Sequence, residues 1–172
     1  ERHLASLRIL ILGGGPIGCE LAQAHARLGA KVTLIEAQTL LGNDDPEAAE
    51  IIRRALISEG ITLHEGTKAT AVAAPQDHQI AVTVEGPEGI STVSGSHLLV
   101  AVGRSVSFDG LDLEAGNVGV GERGALRLDA GLRSNTNSRV FAVGDAAGGM
   151  QFTHVAGSHA STLIKKLLFK LP

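Results

Sequence analysis

The chain has 172 residues, of which 44% are apolar, enough for one domain or one and a half with an ordinary core. Its net charge of −3, with no Trp, no Tyr and only four Phe, argues against nucleic acid as a partner. No apolar stretch is long enough to span a membrane and the N-terminus carries no signal peptide, so we expect a cytoplasmic protein with no membrane partner.

The first predicted elements form one βαβ unit. An apolar run over residues 7–12 predicts a buried parallel strand, and the glycines of 13–15 follow it directly. Apolar residues at helical spacing predict a helix over 16–28, with a proline at its first position and a glycine after its end. A β-rich segment over 31–35 predicts a second strand that ends at Glu36.

The middle of the chain predicts a second helix and a small antiparallel sheet. Asp45 is the expected N-cap of that helix, and Gly60 closes it. Turn residues then separate three β-rich segments, which we expect to form an antiparallel meander. The strands predicted in this region cover 61–64, 67–74, 79–84, 90–94 and 97–102.

The last third of the chain is less regular. Residues 105–139 are rich in glycine and admit one short strand over 125–128. An apolar run over 140–143 predicts a last buried strand, and a helix with one broad apolar face is expected over 152–169. These elements predict an α/β fold with a mainly parallel sheet and a small antiparallel β-meander.

Three glycines after the first strand have the spacing G-x-G-x-x-G. Gly13 allows a tight turn, Gly15 lets the backbone approach a pyrophosphate, and Gly18 lets helix and strand pack closely. The helix N-terminus then offers free N–H groups to the phosphates. Glu36 is placed to accept hydrogen bonds from an adenosine ribose, and no Arg or Lys follows in 37–39, so the pattern favours NAD over NADP. The alternative is a glycine turn with a surface glutamate.

A second motif follows the predicted strand over 140–143. Gly144 and Asp145 come directly after it and precede the last helix. Ligands of doubly wound sheets lie at the carboxyl ends of strands, where Asp145 could bind hydroxyl groups. A turn or helix-capping aspartate is the alternative interpretation.

These motifs in this order resemble the pyridine nucleotide–disulfide oxidoreductases, with dihydrolipoamide dehydrogenase and mercuric reductase as the nearest branch. The matching segments are GGGPIGCELAQAHARLGAKVTLIE, LLVAVGR, SNTNSRVFAVGDAAG and QFTHVAGSHA. The resemblance covers nearly the whole chain and implies a Rossmann-like FAD/NAD(P)-binding fold. It implies an NAD(P)-binding domain over 1–116 and the C-terminal part of an FAD-binding domain over 117–172.

The resemblance also implies a role for individual residues. Glu20 would lie by the nicotinamide, Gly103 near the dinucleotide, Asp145 at the ribityl or phosphate region of FAD, and Thr153 at the flavin pyrimidine edge. Val102 departs from the family, which usually has Thr at this position. The full set of expected cofactor contacts is Gly13, Gly14, Gly15, Pro16, Ile17, Gly18, Glu20, Glu36, Ala37, Val102, Gly103, Arg104, Gly144, Asp145, Phe152 and Thr153.

The implied activity is hydride transfer between NADH and flavin, with NAD and FAD as cofactors and the FAD site only partial. The family's redox cysteine pair, its first FAD glycine motif and its dimerisation segment with a catalytic His–Glu pair have no counterpart here. We therefore expect no catalytic residue in this chain and no turnover by the chain alone. Its expected partners are NAD(H) and the remaining segments of a flavoenzyme that forms a homodimer when complete.

Cys19 is the only cysteine, and we expect it to be a buried packing thiol. The seven histidines show no metal-ligand spacing, so no metal site is expected. The apolar face of the last helix should fold back on the chain or be buried in an oligomer, because large exposed apolar patches are rare in soluble monomers.

Three alternatives stay open at this point. The loop that starts at Gly13 could hold the adenosine of FAD instead of NAD. The chain could also be a non-catalytic NAD-binding module. Finally, it could be part of a flavoprotein of the same fold that acts on something other than a disulfide, such as an NADH oxidase.

Overall fold

The computed structural model describes residues 6–121 and 124–170. It divides into two compact units, the first ending at Gly103 and the second beginning at Arg104. The division lies upstream of the boundary at 116/117 that we expect between the two cofactor-binding domains, and that assignment stays a prediction.

A four-stranded parallel sheet forms the centre of the first unit. It consists of β1 (Arg8–Leu12), β2 (Lys31–Ile35), β3 (Thr62–His64) and β7 (His97–Val100). The strand order is β3-β2-β1-β7, with every neighbouring pair parallel. Side chains of β1 alternate between two clusters, because successive residues of a strand point to opposite faces. Ile9 and Ile11 pack on the helices, whereas Leu10 and Leu12 pack on the second sheet.

Two helices cover one face of this sheet. Helix α1 (Pro16–Arg27) has Pro at its first position and is followed by Gly29 at φ +96°, as the sequence predicts. Helix α2 (Pro46–Ser58) begins at Asp45, whose carboxylate accepts hydrogen bonds from the N–H groups of Glu47 at 2.8 Å and Ala48 at 3.2 Å. The predicted cap is confirmed, and it satisfies two N–H groups that a helix start otherwise leaves without a partner.

The other face is covered by the predicted meander. It consists of β4 (Lys68–Gln76), β5 (Gln79–Gly86) and β6 (Gly89–Gly95), paired antiparallel. Two-residue turns join them at 77–78 and 87–88. Val82 and Val84 of β5 are buried against the parallel sheet, so the meander completes the core of this unit.

The second unit contains one long helix and little regular structure. A 3₁₀ turn over Gly144–Ala147 precedes α3 (Thr153–Phe169), which confirms the helix expected over 152–169. No residue of α3 is buried. Among residues 6–121 and 124–170, no helix is long and apolar enough to cross a membrane.

The prediction of strands over 125–128 and 140–143 was wrong. The structure has only isolated bridges there, Val120–Leu126, Leu128–Ser134 and Arg133–Phe141. The N–H groups of Val140 and Ala142 donate to the nearby carbonyls of Asn137 and Leu132. A short apolar run becomes a strand only where a neighbouring strand accepts hydrogen bonds along its length. Here the amide of Val140 uses a turn carbonyl, and that of Ala142 belongs to the single bridge between Arg133 and Phe141.

Candidate functional site

The loop between β1 and α1 turns so tightly that its first glycine has no room for a side chain. Gly13 has φ +103°, and a Cβ there would lie 2.4 Å from the carbonyl oxygen of Ala101. Its N–H donates to the carbonyl of Ile35 at 2.8 Å. The loop is therefore fixed at the carboxyl edge of the sheet, between the ends of β2 and β7.

The other two glycines of the motif have different surroundings. A Cβ on Gly18 would lie 1.9 Å from the carbonyl oxygen of Gly13, so α1 packs directly on the loop. A Cβ on Gly15 would meet no atom within 4 Å. Gly18 is thus required by packing, whereas the space over Gly15 is open to a ligand.

The start of α1 differs from the start of α2 in its electrostatics. The N-cap residue of α1 is Gly15, which has no side chain to bind the N–H groups of the first turn, and that turn contains no acid. Helix α2 has both a carboxylate cap and Glu47 in its first turn. Of these two helices, α1 alone presents its N–H groups and the positive end of its dipole without a capping carboxylate or a first-turn acid, which is the arrangement that binds phosphate in other proteins.

Glu36 lies directly after β2, and its carboxylate contacts the loop of residues 13–15 between β1 and α1, called the glycine loop below. One carboxylate oxygen accepts the N–H of Gly14 at 2.6 Å, and the other accepts the N–H of Gln38 at 2.8 Å. Each oxygen keeps a second lone pair for a further donor. The side chain is therefore held in one position while it can still accept hydrogen bonds from hydroxyl groups.

The end of β7 brings a third backbone segment to this edge. Val102 is 71% exposed, and Gly103 has φ +118° with no atom within 4 Å of a Cβ built on it. The backbone N of Val102 lies 3.2 Å from the position of a Cβ on Gly13. The structure thus brings the glycine loop, Glu36 and the segment 101–103 together. The remaining expected contacts of this unit, Pro16, Ile17, Glu20 and Ala37, are all exposed.

Cys19 lies one turn into α1 and is buried, as expected. Its thiol donates to the carbonyl of Gly14 at 3.4 Å. Burial raises the pKa of the thiol to about 11, and the negative charges of Glu36, Asp44 and Glu20 add to the effect. The side chain is a protonated packing group, because thiolate chemistry needs a lowered pKa.

The expected contacts of the second unit are Arg104, Gly144, Asp145, Phe152 and Thr153. Arg104 donates from Nη1 to a carboxylate oxygen of Asp145 and to the carbonyl of Gln151, both at 3.3 Å. Phe152, at the N-cap of α3, stacks on His154 with ring centroids 5.3 Å apart. Thr153 is the first residue of α3 and is exposed. Arg104 therefore links the turn that carries Asp145 to Gln151, which lies just before α3.

His159 is a residue of this site that the sequence did not suggest. Its Nδ1 accepts a hydrogen bond from the N–H of Gly144 at 3.2 Å. A Cβ on Gly144 would lie 3.0 Å from the Cβ of Ala156, three residues before His159 on the same helix face. The sequence shows only that Ala156 and His159 are three residues apart on the predicted helix. That spacing does not indicate that His159 contacts Gly144, fifteen residues before it.

Within the described ranges 6–121 and 124–170, no group of three or more His, Cys, Asp or Glu side chains is arranged to hold a metal ion.

Comparisons with known proteins all lead to one family. Residues 1–160 match the family model of pyridine nucleotide-disulphide oxidoreductases. A mercuric reductase of Streptomyces lividans is 40% identical over 160 residues, which cover 93% of this chain and 33% of that protein. A dihydrolipoyl dehydrogenase of Chlorobaculum tepidum is 35% identical over 165 residues, which cover 95% of this chain and 35% of that protein.

A solved structure has the same fold. The HOCl-induced flavoprotein disulfide reductase of Escherichia coli superposes with a TM-score of 0.82 at 30% identity, over 94% of this chain and 36% of that one. The chain thus spans about a third of the length of the relatives it matches. The family resemblance and the Rossmann-like α/β fold expected from the motifs are confirmed, and the chain belongs to the pyridine nucleotide–disulfide oxidoreductases, a family of flavoprotein oxidoreductases.

Proposed function

We propose that this chain forms the NAD(H)-binding part and one wall of the FAD site of an oxidoreductase that transfers hydride between NADH and flavin. The observation that carries the proposal is the position of Glu36, whose carboxylate is held by the N–H of Gly14 beside the uncapped start of α1. An acceptor for ribose hydroxyls and a donor surface for phosphates thus lie on one loop.

The residues of the glycine loop fit a dinucleotide. The open space over Gly15 would take the pyrophosphate, and the N–H groups of the first turn of α1 would donate to its oxygens. Glu36 would accept from the hydroxyls of the adenosine ribose. A 2′-phosphate at that point would meet a carboxylate, and neither Arg nor Lys lies in 37–39 to neutralise it, which supports NAD over NADP.

The residues of the second unit fit part of a flavin site. Asp145 would accept hydrogen bonds from hydroxyls of FAD, with Arg104 holding one oxygen of its carboxylate. Thr153, at the exposed start of α3, would approach the polar edge of the flavin, and Glu20 on α1 would lie by the nicotinamide. Bound flavin supplies the hydride acceptor, while these residues bind and orient the two cofactors.

The activity of the complete enzyme rests on segments beyond this third of the relatives' length. We propose that those segments carry the redox cysteine pair, the catalytic His–Glu pair and the homodimer contacts. The chain alone would then bind NAD(H) without turnover.

Calorimetric titration of the chain with NADH, NADPH and FAD tests this function. We expect NADH to bind and NADPH to bind at least about tenfold more weakly, a difference of roughly 1.4 kcal/mol. Glu36→Gln should weaken NADH binding and reduce the difference between the two nucleotides. Glu88→Gln makes the same change of charge at an exposed position of the hairpin turn and should bind like the wild type.

Each contrary result has a distinct meaning. Equal or tighter binding of NADPH would refute the role of Glu36 in specificity. Binding of FAD that competes with NADH would place the flavin adenosine on the glycine loop. Failure of the folded chain to bind any of the three would contradict a dinucleotide site formed by this chain alone.

A further inference from the structure

The turn that carries Asp145 is held against α3 by the residue before it. Gly144 has φ +61°, which favours glycine, and the position of a Cβ on it is only 3.0 Å from Ala156. Its N–H donates to Nδ1 of His159, one turn further along α3. The backbone of Gly144 is thus in contact with the helix both through packing and through a hydrogen bond.

We propose that His159 is a positioning residue, whose Nδ1 anchors the backbone of Gly144 and thereby sets where the carboxylate of Asp145 lies. The inference rests on the proposed role of Asp145 toward FAD for its functional meaning. Arg104 binds the same carboxylate at 3.3 Å. His159 therefore restrains the backbone of the turn, while Arg104 restrains the side chain.

The hydrogen bond has a defined chemical requirement. A backbone N–H can only donate, so Nδ1 of His159 must be an acceptor and carry no proton. The ring is then neutral with its proton on Nε2, because a protonated imidazole has no acceptor atom. A proton on Nδ1 is therefore incompatible with this hydrogen bond, and the comparison of acceptor-keeping and acceptor-losing variants separates the bond from packing.

Two substitutions separate the hydrogen bond from the bulk of the side chain. The Oδ1 of asparagine lies close to the place of Nδ1 in histidine, whereas the amide of glutamine reaches toward the place of Nε2. His159→Asn should therefore keep the acceptor for Gly144, and His159→Gln should lose it. Ser158→Asn, at the exposed neighbouring position, controls for the lower helix propensity of asparagine.

NMR of the whole isotope-labelled chain measures the anchor directly. At about pH 8, where an ordinary histidine ring is neutral, the ring nitrogens of His159 should report the Nε2–H tautomer. The amide of Gly144 should exchange about tenfold faster in His159→Gln, the effect expected for loss of one hydrogen bond. Exchange in His159→Asn and Ser158→Asn should stay at the wild-type rate.

Other outcomes would overturn the proposal. A proton on Nδ1 in the wild type would exclude the hydrogen bond without the need for any variant to fold. Equal exchange at Gly144 in His159→Gln and wild type would show that His159 does not hold the turn. Equally fast exchange in both the Asn and the Gln variants would assign the effect to ring packing instead of Nδ1.

Titration of FAD into the same samples separates this inference from the proposed function. If FAD shifts the amide of Asp145 in the wild type and in His159→Asn, the shift should need about tenfold more FAD in His159→Gln. If FAD leaves Asp145 unchanged even in the wild type, the role of Asp145 toward FAD fails. The exchange rates and the tautomer still decide whether His159 positions the turn.

Discussion

At the scale of single residues, the glycines of one motif are constrained by different neighbours. An added methyl group on Gly18 would lie 1.9 Å from a backbone oxygen, whereas one on Gly15 would meet no atom within 4 Å. The same Gly→Ala change should therefore affect folding at one position and ligand binding at the other.

We expect Gly18→Ala to destabilise the chain by about 3 kcal/mol, the upper part of the usual range for overpacking. Gly15→Ala should cost only about 1 kcal/mol as a change of N-cap residue. It should nevertheless weaken NADH binding at least about tenfold, because the methyl group enters the space proposed for the pyrophosphate. Thermal unfolding and calorimetry measure the two effects. Wild-type affinity in Gly15→Ala would refute the position of the pyrophosphate.

Cys19 provides a second prediction at this scale. Burial raises the pKa of its thiol to about 11 from an ordinary value of 9.0. At pH 8 the thiolate fraction is then roughly a hundredfold lower than in the unfolded chain, and the thiolate is the species that reacts. Alkylation by iodoacetamide, followed by mass spectrometry, should be slow in the native chain and fast in denaturant. Equal rates would show that the thiol is accessible.

At the scale of elements, local signals predicted most of the first unit. Asp45 before Pro46 starts α2, and the glycine loop leads into α1, because caps and tight turns depend on residues close in sequence.

An ion pair stabilises the segment between α2 and β4. Glu65, which follows β3, accepts two hydrogen bonds from Arg53 of α2, at 2.7 and 2.8 Å, and one from the N–H of Leu40.

This connection predicts a pH dependence of stability. The hydrogen bonds from Arg53 lower the pKa of Glu65 below its ordinary value of 4.5, and the N–H of Leu40 adds to the effect. A carboxyl group with a lowered pKa stabilises the fold above the ordinary value, and this contribution is lost as the pH falls through the folded-state value. Glu65→Gln should therefore cost on the order of 1–3 kcal/mol at pH 7.

The difference between Glu65→Gln and wild type should shrink as the pH falls below 4.5. Chemical denaturation at a series of pH values measures it. Glu88→Gln, at an exposed turn position, should show little difference from wild type at any pH. A difference at Glu65 that does not change with pH would assign the stabilisation to packing instead of charge.

At the scale of the whole molecule, α3 has no buried residue and bears a row of exposed apolar side chains. The most exposed of these are Ile164, Leu167, Leu168 and Phe169, at 51–72%. The second unit by itself therefore does not cover this face. Association of copies in solution is therefore the expected behaviour, since apolar patches of this kind are rarely left open to water.

Light scattering after size exclusion, over a range of concentrations, tests this expectation. The wild-type chain should show a mass above that of a monomer, rising with concentration. Leu168→Glu should shift the population toward monomer, whereas Ser161→Glu, which adds the same charge at an exposed polar position of α3, should not. A monomeric wild type at every concentration would contradict the expectation.

The sequence by itself determined the βαβ unit, the glycine loop, the cap of α2, the meander and the family, because each follows from the spacing of neighbouring residues. Only the tertiary structure decided that 140–143 is not a strand and that Gly144 contacts His159. It also brought Arg104 to Asp145, 41 residues away. These features depend on which distant backbone groups supply the hydrogen-bond partners, and hydrophobic pattern carries no information about such partners.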